Sequence, residues 1–227
     1  MSHYAIALFV DHPGDFDRLM DPYDESNEAH FVFEPVPDED ILQAWERFRQ
    51  MNPSWTYSDW LSQHYTERDG RYGHWYNPQG YYDYYTIGGK DYMYDPLPDA
   101  QKRFEKEGWP PFCRKSELDW FAPSNDHDET YWRKRWREYS REGDGFFSKD
   151  YYLERYVTED QFVKERMRPI MPYAFVTPDG VWHAPGRVGW FAMSDETAES
   201  QDAYWTEWCD FIRNAPDCYV TILDCHI

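Results

Sequence analysis

Both ends of this chain are short, continuous apolar runs, and each is bounded by turn residues. Tyr4 to Val10 runs into Asp11-His12-Pro13-Gly14, and Tyr219 to Leu223 follows Asn214-Ala215-Pro216. Neither run shows the strict apolar–polar alternation of a half-exposed strand. Continuous runs of this length suit strands covered on both faces, so the two ends are expected side by side in the interior of one sheet.

The residues between them alternate between helical and strand-like patterns. Phe31-Val32-Phe33 is the only strand-like piece in an acidic, irregular stretch from Asp15 to Pro37. Asp38 is expected to cap a helix in which Ile41, Ala44, Trp45 and Phe48 recur on one face, stopped by Asn52-Pro53. Ser58 to His64 reads as a second short helix, with Trp60 and Leu61 turned inward. Residues 66–96 are dense in rings and punctuated by glycines, which predicts strands and tight turns. Helices follow over Asp99–Glu107, over Asp128–Arg141, and from the capping-box spacing Thr158-Glu159-Asp160-Gln161 to Pro169. Tyr173–Thr177 and Val181–His183 flank Pro178-Asp179-Gly180, a hairpin signal. Glu199–Asn214 carries Tyr204, Trp205, Trp208, Phe211 and Ile212 along one side of a last helix. The expected fold class is α+β: one domain over 1–227 with a largely antiparallel sheet containing both terminal strands, and residues 97–168 as a helical insertion.

Composition says what fills the core. One residue in five is aromatic, yet the net charge over 227 residues is −20. Rings that each bury roughly 150–250 Å² can build a core with few aliphatics, leaving carboxylates for the surface. Between residues 1 and 60, thirteen carboxylates face only Arg18, Arg47 and Arg49. Such a field repels nucleic acid and anionic membranes and favours cationic partners. No run approaches the roughly 18 apolar residues of a membrane span. Met1-Ser2-His3-Tyr4 lacks the basic start of a signal peptide, and Cys113, Cys209, Cys218 and Cys225 follow no disulfide framework. The expectation is a soluble cytoplasmic protein with buried thiols, without direct nucleic-acid or membrane binding.

Four segments stand out as motifs: Leu19-Met20-Asp21-Pro22-Tyr23-Asp24-Glu25, Asn77-Pro78 leading into Tyr81-Tyr82-Asp83-Tyr84-Tyr85-Thr86-Ile87-Gly88-Gly89-Lys90, Phe175 to His183 with Gly189-Trp190-Phe191, and the ending Leu223-Asp224-Cys225-His226-Ile227. Together they resemble a widespread, functionally uncharacterised family found in bacteriophage genomes and their bacterial hosts. Members of that family usually carry Arg then Trp after the paired glycines, where this chain has Lys90 and Asp91. The resemblance implies a phage-linked protein of the host cytoplasm and brings no reaction with it.

Each chemically suggestive cluster has a plainer structural reading. Gly88-Gly89-Lys90 could cradle an oxyanion, but it lacks the length and the Ser/Thr of a P-loop, and a tight turn explains the glycines. His183, Arg187 and Trp190 could line a nucleotide pocket with Lys90, or belong to a surface hairpin. In Asp224-Cys225-His226, packing is favoured over a metal site or a thiol nucleophile. Cys218 and Cys225 fall on opposite strand faces, and only a remote His183 or His74 could complete a site. Arg133-Lys134-Arg135-Arg137 is expected to pair internally with carboxylates. No catalytic residue, metal or cofactor is assigned. The leading expectation is a non-catalytic acidic binding protein that antagonises a host defence or nucleic-acid-binding protein through its basic surface, with Asp21, Asp24, Glu25 and Glu28 as contact residues. The alternative is a nucleotide-binding protein, enzyme or sequestering, using Gly88, Gly89, Lys90, His183, Arg187 and Trp190.

Overall fold

Strand β1 (His3–Val10) and strand β9 (Tyr219–His226) pair antiparallel over eight positions, from His3 opposite His226 to Val10 opposite Tyr219. The computed structural model describes residues 3–88, 94–122, 127–187 and 194–227. Ile6 to Val10 are all fully buried, as a strand covered on both faces requires. β9 runs three residues beyond the expected end at Leu223, because Asp224, Cys225 and His226 still find partners on β1. On its other edge β9 takes β5 (Tyr84–Ile87) near its end and β6 (Cys113–Arg114) near its start. β1 pairs parallel with β7 (Ala174–Val176), which turns back into β8 (Trp182–His183). The order is β5-β9-β1-β7-β8, mostly antiparallel, with both terminal strands inside an α+β fold.

The described residues fall into two compact units, one comprising 1–19 with 84–227 and the other 20–83. In the larger unit, helix α8 (Ala198–Asn214) packs its ring-bearing side on one face of the sheet. Trp208 is fully buried, with its ring centroid 6.0 Å from that of Phe9, 5.3 Å from Phe175 and 5.4 Å from Trp120. Helix α4 (Pro98–Glu107) adds Ala100 and Phe104 to the same core. The stretch 97–168 is therefore more than helices, since β6 within it joins the sheet. Just after β6, the buried Lys115 reaches the end of α8, where its Nζ donates to the carbonyls of Ile212 (3.0 Å) and Ala215 (2.5 Å). Those carbonyls are the acceptors that a helix C-terminus leaves open, and a cation there also suits the helix dipole.

Three further helices, α5 (Glu129–Glu142), α6 (Lys149–Arg155) and α7 (Glu159–Arg166), close around the fully buried Phe162. Its ring lies 5.4 Å from Trp136 and 5.2 Å from Tyr156. Asp128 and Ser148 cap α5 and α6, and Thr158 with Gln161 forms the expected capping box on α7. α6 lies between the two helices expected at Asp128–Arg141 and from Thr158, in a stretch for which no element was expected.

In the smaller unit, α2 (Asp38–Met51) and α3 (Tyr57–His64) bury Ile41, Trp60 and Leu61. Its strands are β2 (Val32–Pro35), β3 (Thr66–Arg68) and β4 (Arg71–Tyr76), in the sheet order β2-β4-β3. Tyr72, on the central strand β4, packs against that cluster. Asp38 is the first helical residue of α2 and not its cap; the cap position is Pro37, with no side-chain hydrogen bond. The stretch 15–37 is also more ordered than expected, holding helix α1 (Phe16–Met20) and three-residue helical turns at Asp21–Tyr23 and Glu28–His30. Among the described residues, no helix is long and apolar enough to cross a membrane.

Replacing Lys115 with Met keeps the apolar stem but orphans two carbonyls at the end of α8. The Lys115→Met protein is expected to lose about 2 kcal/mol or more in a urea titration, since hydrogen bonds to charged groups contribute roughly 1.5–3 kcal/mol each. Unchanged stability would show that α8 ends without this contact.

Candidate binding surface

The acidic loop at 21–30 is held by hydrogen bonds at nearly every turn. Asp21 Oδ1 accepts from Asn27 Nδ2 at 2.8 Å, and its Oδ2 lies 2.9 Å from His30 Nε2. Asp24 Oδ1 accepts from the backbone N–H of Ser26 at 2.8 Å and from the Ser26 hydroxyl at 2.7 Å. From the far end of the unit, the buried Asn77 donates to the carbonyls of Pro22 and Asp24 at 2.8 and 2.9 Å. Tyr82 adds a hydroxyl hydrogen bond to the Met20 carbonyl at 3.0 Å, and the Glu25 N–H donates to the Tyr82 carbonyl at 2.8 Å. Asp21 and Asp24 therefore shape the loop, while the side chains of Glu25 and Glu28 stand exposed on it.

Across residues 20–83 thirteen carboxylates stand against four arginines, a net charge of −9. Arg49 pairs with Glu46 at 2.5 Å and Arg68 lies 3.7 Å from Asp69; such exposed pairs contribute little. Asp38, Glu39 and Asp40 are exposed in the first turn of α2, where the helix dipole favours negative charge. One face of the small sheet carries Phe33 and Trp75 with ring centroids 5.4 Å apart, and the Arg68 guanidinium lies 4.9 Å from the Trp75 ring. Trp75 remains 41% exposed. This unit thus combines a rigid acidic loop with a half-exposed ring.

Of the residues expected to form a nucleotide pocket, Gly88 and His183 stand apart in the sheet. Gly88 follows β5 and His183 lies in β8, at opposite edges of the five-strand path. Four strand spacings of about 4.8 Å separate them, roughly 19 Å. Gly88 has a φ of +63° and donates its N–H to the Ile222 carbonyl at 2.8 Å, so it turns the chain at the end of β5. The His183 ring stacks on Phe175 at 4.5 Å and its Nδ1 lies 3.3 Å from Glu207. Arg187 donates its backbone N–H to Asp195 at 2.6 Å. Gly89, Lys90 and Trp190 lie outside the described residues.

At the chain end, Cys225 is fully buried within β9, and the His226 ring stacks on Tyr84 at 4.4 Å. His183 is three strands away from β9, so it does not complete a site with them. Among the described residues, no three His, Cys, Asp or Glu side chains converge as metal ligands. All four cysteines are buried thiols. Burial pushes the pKa of Cys113 up to about 12 and that of Cys218 up to about 11, and burial raises that of Cys225 as well. Such groups stay protonated near neutrality, the opposite of an activated nucleophile. The arginines of α5 are taken up internally: Arg133 meets Glu129, Glu159 and Asp160 at 2.6 to 3.1 Å, and Arg135 meets Glu138 at 2.8 Å.

Because Gly88 sits in the left-handed region, Gly88→Ala is expected to cost about 1–2 kcal/mol of stability by denaturant titration. Wild-type stability in that variant would remove the turn as the reason for the glycine.

Compared with known proteins, the chain matches no family, no curated protein and no solved structure.

Proposed function

We propose that this chain acts by binding, without catalysis, and that its acidic unit docks on the basic surface of another protein. The observation that carries this reading is the net charge of −9 on residues 20–83, part of it on a loop already fixed by Asn77, Ser26 and Asn27. A preorganised charged surface speeds encounter with an oppositely charged partner and adds no ordering cost on contact. Trp75 supplies what charge lacks, a partly exposed ring of the kind that anchors interfaces. The resemblance of the chain's motifs to phage-encoded proteins supports a partner in the cytoplasm of a bacterial host, a defence or nucleic-acid-binding protein whose basic groove this surface would occupy.

The scaffolding role of Asp21 and Asp24 decides how to test this. Removing them would disturb the loop along with its charge, so the informative variant is Glu28→Gln, Asp38→Asn and Glu39→Gln together. Captured from bacterial lysate on the immobilised wild-type protein, the partner should be basic and should associate more slowly as salt rises. The neutralised variant should keep its thermal midpoint, associate more slowly and depend less on salt. Trp75→Ala should weaken the same complex about tenfold or more, mainly through faster dissociation. Capture that is insensitive to salt and to the neutralising substitutions would contradict the proposal.

A further inference from the structure

The larger unit contains a cavity of about 490 Å³ that lies far from the acidic loop in sequence. Its size falls in the range of small-molecule sites, roughly 300–1,000 Å³. Trp132, Met171, Pro172, Tyr173 and Tyr204 give it largely apolar walls. Those walls are held independently of any ligand. The Tyr204 hydroxyl donates to the Pro172 carbonyl at 2.9 Å, the Tyr173 N–H donates to the Ala5 carbonyl at 2.9 Å, and the Tyr173 ring packs on Tyr4 at 5.4 Å. Prolines at 169 and 172 stiffen the segment that carries them.

Four charged side chains also line the cavity, and their partners set its preference. Glu165 accepts from the Tyr156 hydroxyl at 2.7 Å and lies 3.4 Å from Arg155. Glu196 accepts from Gln201 at 2.8 Å and lies 3.5 Å from the same Arg155 guanidinium. Both carboxylates are thus already held by neighbours. The Arg166 guanidinium lies over the rings of Trp132 and Phe162, at 5.6 and 5.3 Å. The Arg168 side chain is only 12% exposed and pairs through Nη2 with Asp202. Its Nε is buried and meets no hydrogen-bond acceptor among the described residues. Arg166 and Arg168 thus bring two guanidinium groups to the lining of a cavity whose carboxylates are already held, and the planar fork of arginine binds an oxyanion well.

We infer that this cavity binds a planar aromatic anion about the size of a nucleoside monophosphate. Its phosphate or carboxylate would meet Arg168 and Arg166, and its ring would lie against Trp132 and Tyr173. This site is distinct from the pocket expected around Gly88 and His183, and it does not depend on the acidic unit.

The test is calorimetric titration of the full chain with AMP, GMP, CMP, UMP, 4-hydroxybenzoate, indole-3-acetate and inorganic phosphate, each to 1 mM, with tryptophan fluorescence read in parallel. At least one ring-bearing anion should bind one to one and change the fluorescence, and the nucleotide and carboxylate probes separate the two anion sources. Arg166→Gln and Arg168→Gln should each weaken that probe at least tenfold. Met171→Trp, which fills the cavity and leaves both arginines in place, should abolish binding; it decides the matter if either arginine variant fails to fold. Absence of binding by every ring-bearing probe would overturn the inference, as would binding that survives Met171→Trp. Phosphate alone binding as tightly as the best ring-bearing probe would overturn the role given to the rings.

Discussion

The larger unit depends on the pairing of its two chain ends. β1 and β9 meet in register over eight positions although His3 and His226 are more than two hundred residues apart. Every other strand of that sheet attaches to one of these two: β7 to β1, β5 and β6 to β9, and β8 through β7. Closing so long a loop carries an entropic cost that grows only slowly with length, but the contact must form before its neighbours gain anything from it. What offsets that cost is burial. Ile6 to Val10 and Leu223 lose all exposure, and Ala7, Phe9 and Ile222 present one face on which α8 lays Trp208. Lys115 then ties the far end of α8 back to the strand edge at β6.

The same economy of rings recurs wherever the chain builds a core. Trp208, Phe162 and Trp60 each sit at the centre of a cluster of other rings, in the sheet, the three-helix group and the smaller unit respectively. Edge-to-face and tilted ring pairs add about 0.5–1.5 kcal/mol each beyond their buried area, so few aliphatics are needed. Acidity is then free to accumulate outside. Where cations do occur they are spent locally, as Arg133 is on three carboxylates. The cavity lined by Arg166 and Arg168 differs in bringing two guanidinium groups together where the nearby carboxylates, Glu165 and Glu196, are already held by Arg155.

Periodicity and caps made most of the fold legible. The terminal strands, the hairpin at 174–183, and the helices opened by Asp128 and Thr158 all follow from local patterns that also hold in three dimensions. α6 escaped because Gly143 and Gly145 signal a loop, although Ser148 and the spacing of Tyr152 and Tyr156 carried a helical message. The proposed contact residues were less legible. Counting carboxylates cannot separate Asp21 and Asp24, which accept hydrogen bonds within their loop, from the exposed Glu25 and Glu28. Strand order is likewise not written in local sequence, and it is strand order that puts Gly88 and His183 on opposite edges. Arg166 and Arg168 were passed over because they sit at a helix end, where basic residues are ordinary. The prolines at 169 and 172 beside them were the available sign of a stiffened wall.

Native-state hydrogen exchange of the backbone amides tests the central role of the paired ends most directly. If β1 and β9 organise the larger unit, the amides of Ile6–Phe9 and Val220–Leu223 should be the slowest in the chain. They should also open together, with the free energy of global unfolding. Exchange of either strand at loop-like rates, or of one strand independently of the other, would contradict the account.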